Sequence, residues 1–205
     1  MSSLCAKLQA NQNMAMCGQF NAGIEADLFL IDLRDVSSRT IVDNVLTGLT
    51  LKEGCYAYRY RGKRNAYDAS FSLKDGQFVN GFTHNVACRT FVKSQALKDA
   101  MNALQYSRVM VVVKNKDRHH EDMLYEVYGF TNGLQMSEID YTGNEQDGWL
   151  ASFTLSSTDE AAESQAPVTF YNTDEQTTFL LLLALTQLEW FTLNISKLNS
   201  NMKLG

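Results

Sequence analysis

The most concentrated group of side chains that could bind a metal is formed by His119, His120, Glu121 and Asp122. Adjacent residues in a strand or loop point in different directions, so these two imidazoles do not converge on one ion. The HExxH spacing, which places two histidines on one helical face, is absent. We therefore predict that residues 119–122 are a charged hairpin tip and a surface contact, and we expect no metal site and no cofactor.

Acid–base and nucleophilic chemistry find little support in the sequence. Glu138 and Asp140 alternate along a predicted strand and share one face, which permits acid–base work, although solvated carboxylates explain the pattern more simply. Three histidines in 205 residues leave few bases for a Ser, Thr or Cys nucleophile, and the GxSxG, GxxxxGK[ST] and GxGxxG motifs are absent. We predict no catalytic residues and a protein that is not an enzyme.

A basic cluster interleaved with tyrosines is the other group capable of binding. Residues 55–61 alternate as a strand, residues 62–65 suit a turn, and residues 67–73 continue the alternation, which predicts a long β-hairpin with a basic tip. Such a tip could hold phosphates and stack bases, but one hairpin is a small footprint. We favour a contact between subunits that involves these residues: Tyr58, Arg59, Tyr60, Arg61, Lys63 and Arg64.

The elements that position these residues centre on residues 108–134. Val109, Val111 and Val113 share one face of a strand whose other face is also apolar, which predicts a strand covered on both sides. Residues 94–106 predict an amphipathic helix capped by Ser94, and residues 179–195 favour a C-terminal helix.

About eight to ten strands against one or two helices predict a mainly β fold, a β-sandwich or barrel with one flanking amphipathic helix and a long β-hairpin. Two details are less regular: Ser37–Ser38 would break a strand over residues 27–36, and residues 156–165 would form a polar surface loop. We divide the chain into an N-terminal arm (1–23), a β domain (24–172) and an apolar C-terminal segment with its tail (173–205).

Composition limits the partners. A net charge of −5 argues against broad binding to nucleic acid, which usually needs a basic face. The four cysteines form no CxxC pair, as expected for free thiols in a reducing cytoplasm. The N-terminus has no apolar signal region, and the longest apolar run is too short for a membrane helix, so we expect no membrane partner.

Several segments together resemble the tail-tube-like proteins of tailed bacteriophages. Tyr125-Glu-Val-Tyr-Gly129, followed by Asn132-Gly133-Leu134, looks like that family's "Y-E-V-x-G … G-L" segment after a variable loop. The Tyr-rich hairpin, the helix before a Val-rich strand and the Leu-Ser-Ser at residues 155–157 are also similar. The likeness covers roughly residues 24–170.

The resemblance implies a structural virion protein, made in the bacterial host cytoplasm, whose β domain and long hairpin join neighbouring copies into a hexameric or dodecameric ring. Double-stranded DNA would pass through it without specific binding, and the neighbours would be neck or tail proteins such as portal-side rings or the tail hub. The N-terminal arm and the apolar C-terminal segment are departures from a minimal tube protein. They favour the interpretation that the chain forms a ring in the neck, as in crAss-like phages.

Two alternatives stay open. The chain could be a small soluble β-barrel enzyme or ligand-binding module, which predicts a closed, polar-lined pocket. A secreted adhesin or carbohydrate-binding module would need a signal peptide and a disulfide framework, for which the sequence gives no sign.

Overall fold

A computed structural model of the chain describes residues 23–63, 65–74, 81–90, 94–116, 124–146, 149–158 and 161–186. Within these residues the chain forms eleven strands and two α-helices. The strands are β1 Ile24–Asp32, β2 Val36–Val42, β3 Val45–Leu51, β4 Tyr58–Arg61, β5 Tyr67–Lys74, β6 Gly81–Thr90, β7 Val109–Asn115, β8 Tyr125–Tyr128, β9 Gln135–Gln146, β10 Trp149–Ser156 and β11 Val168–Thr169. The helices are α1 Gln95–Leu104 and α2 Glu175–Leu185, and a short 3-10 turn spans Leu33–Asp35.

The strands pair in three sheets. A five-stranded sheet has the order β11-β8-β7-β1-β4, a four-stranded sheet has the order β5-β6-β10-β9, and β2 and β3 form a separate hairpin. The neighbouring strands within each sheet are antiparallel. The predicted mainly β sandwich with a flanking helix is therefore confirmed.

The central strand β7 is buried on both faces, as its sequence predicts. Val109 to Val113 are each at most 3% exposed. Val111 packs in a cluster with Val86, Phe153 and Leu155 of the four-stranded sheet. Val112 packs on the opposite side, in a cluster that includes Leu46 of β3 and Leu182 of α2. The five-stranded sheet is thus the middle of three layers, because both of its faces carry apolar side chains.

Both helices begin at side-chain caps. The Ser94 side chain accepts a hydrogen bond from the Leu97 amide, and α1 buries Met101 and Leu104, so the predicted amphipathic helix is confirmed. The Asp174 side chain caps α2 in the same way through the Thr177 amide. The predicted C-terminal helix is confirmed over Glu175–Leu185, while residues 187–205 lie outside the described part of the chain.

The predicted hairpin between residues 55–61 and 67–73 is wrong. β4 pairs with β1 in the five-stranded sheet, whereas β5 pairs with β6 in the four-stranded sheet. The chain therefore crosses from one sheet to the other between β4 and β5. Alternation fixes which side chains share a face, but it does not fix the partner strand. The long hairpins of the fold are β5–β6 and β9–β10 instead.

The predicted strand break at Ser37–Ser38 is also wrong, because both serines lie inside β2. The chain reverses further on, at Asp43 and Asn44, which have φ angles of 49° and 64°. Asp and Asn adopt this left-handed conformation more readily than most residues, and two such residues in a row form a tight hairpin turn. This turn makes β2–β3 a separate hairpin that covers the middle sheet.

In the described residues, no helix is long and apolar enough to cross a membrane.

Candidate functional site

Three of the basic residues predicted to form a hairpin tip, Arg59, Arg61 and Lys63, lie instead along the edge strand β4 and at the start of the link that follows it. Their side chains differ in exposure and in the contacts that they make. Arg59 donates two hydrogen bonds to the Asp27 carboxylate, at 3.0 and 2.7 Å, and its guanidinium lies 5.2 Å from the Phe179 ring of α2. Arg59 therefore joins β4, β1 and α2, which is an internal structural role.

The remaining members of this predicted group divide between core and surface. Tyr60 packs against the cluster between the two large sheets, and its pKa is raised by burial. Tyr58 is 62% exposed, and the Arg61 side chain is 74% exposed with a longer contact of 3.5 Å to Asp27. Lys63 is exposed, and Arg64 lies outside the described residues.

Two clefts of about 260 Å³ each share Tyr60 as a lining residue. The first, which we call the basic cleft, has an apolar floor that includes Tyr67, Cys88 and Phe153, and it also involves Arg61, Lys63 and Arg89. The second lies beside α1 and contains Asp32, Asp35 and Ser107 among mostly apolar residues.

The chemistry of the basic cleft favours binding over catalysis. Burial raises the pKa of the Cys88 thiol to about 12, so this thiol stays protonated and is a poor nucleophile near neutral pH. Burial also raises the pKa of Tyr67. No histidine lines either cleft. What the basic cleft offers is an apolar floor with the cationic residues Arg61 and Lys63 beside it, which suits an apolar group that carries or adjoins a negative charge.

A buried polar cluster, which sequence reasoning missed, lies at the turn after β8. Glu163 is fully buried, and its carboxylate accepts hydrogen bonds from the amides of Thr131, Asn132 and Gly133, at 2.7 to 3.1 Å. The Asn132 side chain returns a hydrogen bond to the Ala162 carbonyl. The segment predicted to be a polar surface loop therefore contains an anchor inside the protein.

His84 belongs to the same region. It is fully buried; its Nδ1 accepts a hydrogen bond from the Gly129 amide, so its Nε2 carries the proton and donates to the Gln165 carbonyl. Burial lowers the pKa of His84, which keeps the ring neutral. Since every hydrogen-bond partner of these two side chains is a backbone group, His84 and Glu163 position the loop between β10 and β11, and neither lines either of the two clefts described above. The sequence does not distinguish Glu163 from Asp159 and Glu160, which lie in the same polar run.

Glu138 and Asp140 share one exposed face of β9, as predicted, and no third acidic residue or histidine joins them in a metal-binding group within the described residues. Residues 119–122 lie outside the described part of the chain, so the predicted hairpin tip at His119, His120, Glu121 and Asp122 stays a prediction.

Comparisons with protein-family models, curated proteins and solved structures found no match.

Proposed function

We propose that this chain is a non-enzymatic structural protein of a phage virion, which assembles into a ring or tube in the neck or tail and lets double-stranded DNA pass. The proposal joins the sequence resemblance to one observation about the four-stranded sheet. Its two edge strands, β5 and β9, pair on one side only among the described residues, and both carry exposed apolar side chains.

The exposed apolar side chains on these edges need a cover. Phe71 and Leu73 of β5 are 49% and 62% exposed, and Ile139 of β9 is 50% exposed. An edge strand with unpaired backbone groups and apolar side chains is prone to pair with another chain, and closure into a ring removes such edges. A ring requires two different contact surfaces on each subunit, because each copy meets one neighbour on either side. β5 and β9 supply two such surfaces.

The outer face of the same sheet suits the wall of a channel for DNA. Residues that alternate with the buried ones point to this face, and nearly all are small or polar: Asp68, Ser70, Ser72, Thr83, Asn85, Ala87, Arg89, Glu138, Asp140, Ser152, Thr154 and Ser156. Among the side chains of this face that the structure describes, three are carboxylates and one is a guanidinium. Cationic contacts to phosphates would slow DNA, whereas a hydroxyl-rich and weakly acidic surface would not hold it.

The test is the oligomeric state of the purified full-length chain. We expect a discrete particle of six or twelve copies by light scattering and mass photometry, with a central channel in negative-stain images. The particle should bind double-stranded DNA no better than an acidic control protein at physiological salt. A chain that stays monomeric across a wide range of concentrations and buffers would overturn the proposal.

In the virion, such a ring would contact neighbouring neck or tail proteins, for example a portal-side ring or the tail hub. Labelling of this subunit in virions would locate it in the neck or in the tail.

The alternative is a small soluble β-barrel enzyme or ligand-binding module; the observation that bears on it is the basic cleft beside Tyr60, which has an apolar floor and is not the closed, polar-lined pocket that this alternative predicts. This alternative predicts that a monomer binds a small apolar anion in that cleft. Chemical-shift changes confined to residues such as Cys88 and Leu97, seen in a monomeric sample, would support it.

A further inference from the structure

We infer that the basic cleft is one half of the contact between copies, and that the Ile139–Asp140 segment on β9 of the next copy is the other half. This inference rests on the proposed function, since it names the residues through which the ring would close. It follows from three features: the registers of the four-stranded sheet, the charges on its two edges, and the exposure of Ile139.

The registers place the two halves at the same level of the sheet. Tyr67 pairs with Cys88, Cys88 with Phe153, and Phe153 with Ile139, so one row crosses all four strands from β5 to β9. Three of these four residues line the basic cleft, and the fourth is the exposed isoleucine. If the sheet continues into a second copy without a shift along the strands, Ile139 of one copy meets the start of β5 in the next.

The strand directions allow such a continuation. Each of the three pairs in the sheet is antiparallel, so β5 and β9, at opposite edges, run in opposite directions. Rotation about a ring axis along the strands keeps these directions, and β9 of one copy would then pair with β5 of the next in the ordinary antiparallel manner.

The neighbouring row of residues, one position along each strand, contains the charged side chains of the proposed contact. Asp140 pairs with Ser152, and Ser152 pairs with Arg89, on the outer face of the sheet. The Arg89 amide donates a hydrogen bond to the Ala66 carbonyl, so Ala66 precedes β5 at this level. In a continued sheet, Asp140 of one copy would lie two strands from Arg89 of the next, at roughly 10 Å between Cα atoms. An arginine side chain can span this distance, and the Ala66 side chain is buried in the cluster between the two large sheets.

Glu138 does not have such a partner. It pairs with Thr154, which pairs with Ala87, and Ala87 pairs with Asp68 on β5. In a continued sheet Glu138 would therefore lie beside Asp68, an exposed residue of the same charge. Of the two carboxylates on β9, only Asp140 is therefore expected to attract the next copy. Glu138 lies on the same strand and face and is a matched control.

The apolar part of the contact is Ile139 itself. Its side chain points to the inner face, as do Tyr67 and Phe153 in the same row, and these two aromatic rings belong to the floor of the cleft. A cleft of about 260 Å³ has room for one branched aliphatic side chain. Insertion of such a side chain at the centre of a contact, with charges at its rim, is a common arrangement in protein interfaces.

The test begins with the wild-type chain and two charge reversals, Arg89→Glu and Asp140→Lys. Each reversal should raise the concentration at half-assembly roughly fivefold or more, because it places like charges across the contact. An equimolar mixture of the two variants should assemble again. When the two variants alternate around the ring, every contact joins opposite charges: Asp140 meets Arg89 at one contact, and the two substituted residues meet at the next. Glu138→Gln should assemble at least as well as the wild type.

The apolar half is tested by Ile139→Ser, which should weaken assembly roughly tenfold. Ile41→Ser is the control, because Ile41 is equally exposed, at 49%, but lies on β2. If the wild type assembles and the Arg89, Asp140 and Ile139 variants assemble equally well, the inferred contact is wrong while the ring stands. If the wild type is monomeric under all conditions, the proposed function itself fails, and the inferred contact fails with it.

Discussion

The Asp27 carboxylate and the Arg59 guanidinium form a two-pronged ion pair across β1 and β4, with N–O distances of 3.0 and 2.7 Å. Both side chains are only about one-fifth exposed, at 23% and 21%. The arginine also faces the rings of Phe29 and Phe179, at 5.9 and 5.2 Å. One side chain thus links an edge strand, its neighbour and the C-terminal helix.

Arg59→Lys should destabilise the protein by ~1–3 kcal/mol, because lysine cannot form both hydrogen bonds at once and stacks less well on aromatic rings. The free energy of unfolding from urea titration is the measurement. Arg61→Lys is the control: its contact to Asp27 is longer, at 3.5 Å, and its side chain is 74% exposed. Equal losses for the two variants would show that the pair does not stabilise the fold.

Glu163→Ala should be more damaging, by ~3 kcal/mol or more, since it leaves three amides of the turn at residues 131–133, one of them buried and two partly buried, without their acceptor. Glu163→Gln should recover part of this loss, because its amide oxygen can still accept hydrogen bonds. Glu138→Ala, on an exposed surface, should change stability by less than about 0.5 kcal/mol. A Glu163→Ala protein as stable as Glu138→Ala would mean that the anchor is not needed.

Stability should decrease as the pH falls below about 6.5. Burial lowers the pKa of His84 in the folded state, so between the unfolded and folded pKa values the unfolded chain binds more protons than the folded one. The contribution of His84 is therefore complete above the unfolded pKa and is lost towards the folded pKa. Protonated Nδ1 would also face the Gly129 amide, donor against donor.

The measurement is the urea midpoint from pH 5 to pH 8 for the wild type and for His84→Gln. The variant should be less stable at pH 8 and should show a flatter dependence on pH over this range. Parallel curves for the two proteins would exclude His84 as the source of the slope.

Gly129→Ala should destabilise the protein far more than Gly54→Ala, although the two glycines have similar φ angles of 70° and 77°. A Cβ at Gly54 would meet no atom within 4 Å, so only the backbone cost of about 1 kcal/mol applies. A Cβ at Gly129 would lie 2.9 Å from the Val109 carbonyl oxygen and 2.9 Å from the Leu134 nitrogen. Thermal unfolding of both variants separates the steric cost from the conformational one.

The sequence predicts those elements of the fold whose structure depends on residues close to one another in the chain. The apolar residues of β7 and the Ser94 cap of α1 are visible in the sequence, because burial on two faces and capping each leave a signature within a few residues. The sequence also contains a signal for the turn at Asp43–Asn44, since both residue types favour positive φ, but this turn was not predicted.

Strand partners could not be predicted in this way. The alternation in residues 55–73 is the same whether β4 and β5 pair with each other or lie in different sheets. The basic cleft depends on this difference, because it combines residues from β4, β5, β6, α1 and β10. Glu163 is a similar case, since its burial is decided by a turn thirty residues earlier in the chain.

The separation of β4 from β5 also bears on the order in which the chain can fold. β1 pairs with β7, about eighty residues later, and β6 pairs with β10, 61 to 71 residues later. Neither large sheet can therefore be complete until most of the chain has left the ribosome. Pairings so distant along the chain are associated with slow folding, and the apolar edges of β5 and β9 stay open meanwhile. Aggregation during synthesis thus competes with assembly, and high expression temperatures should favour aggregation.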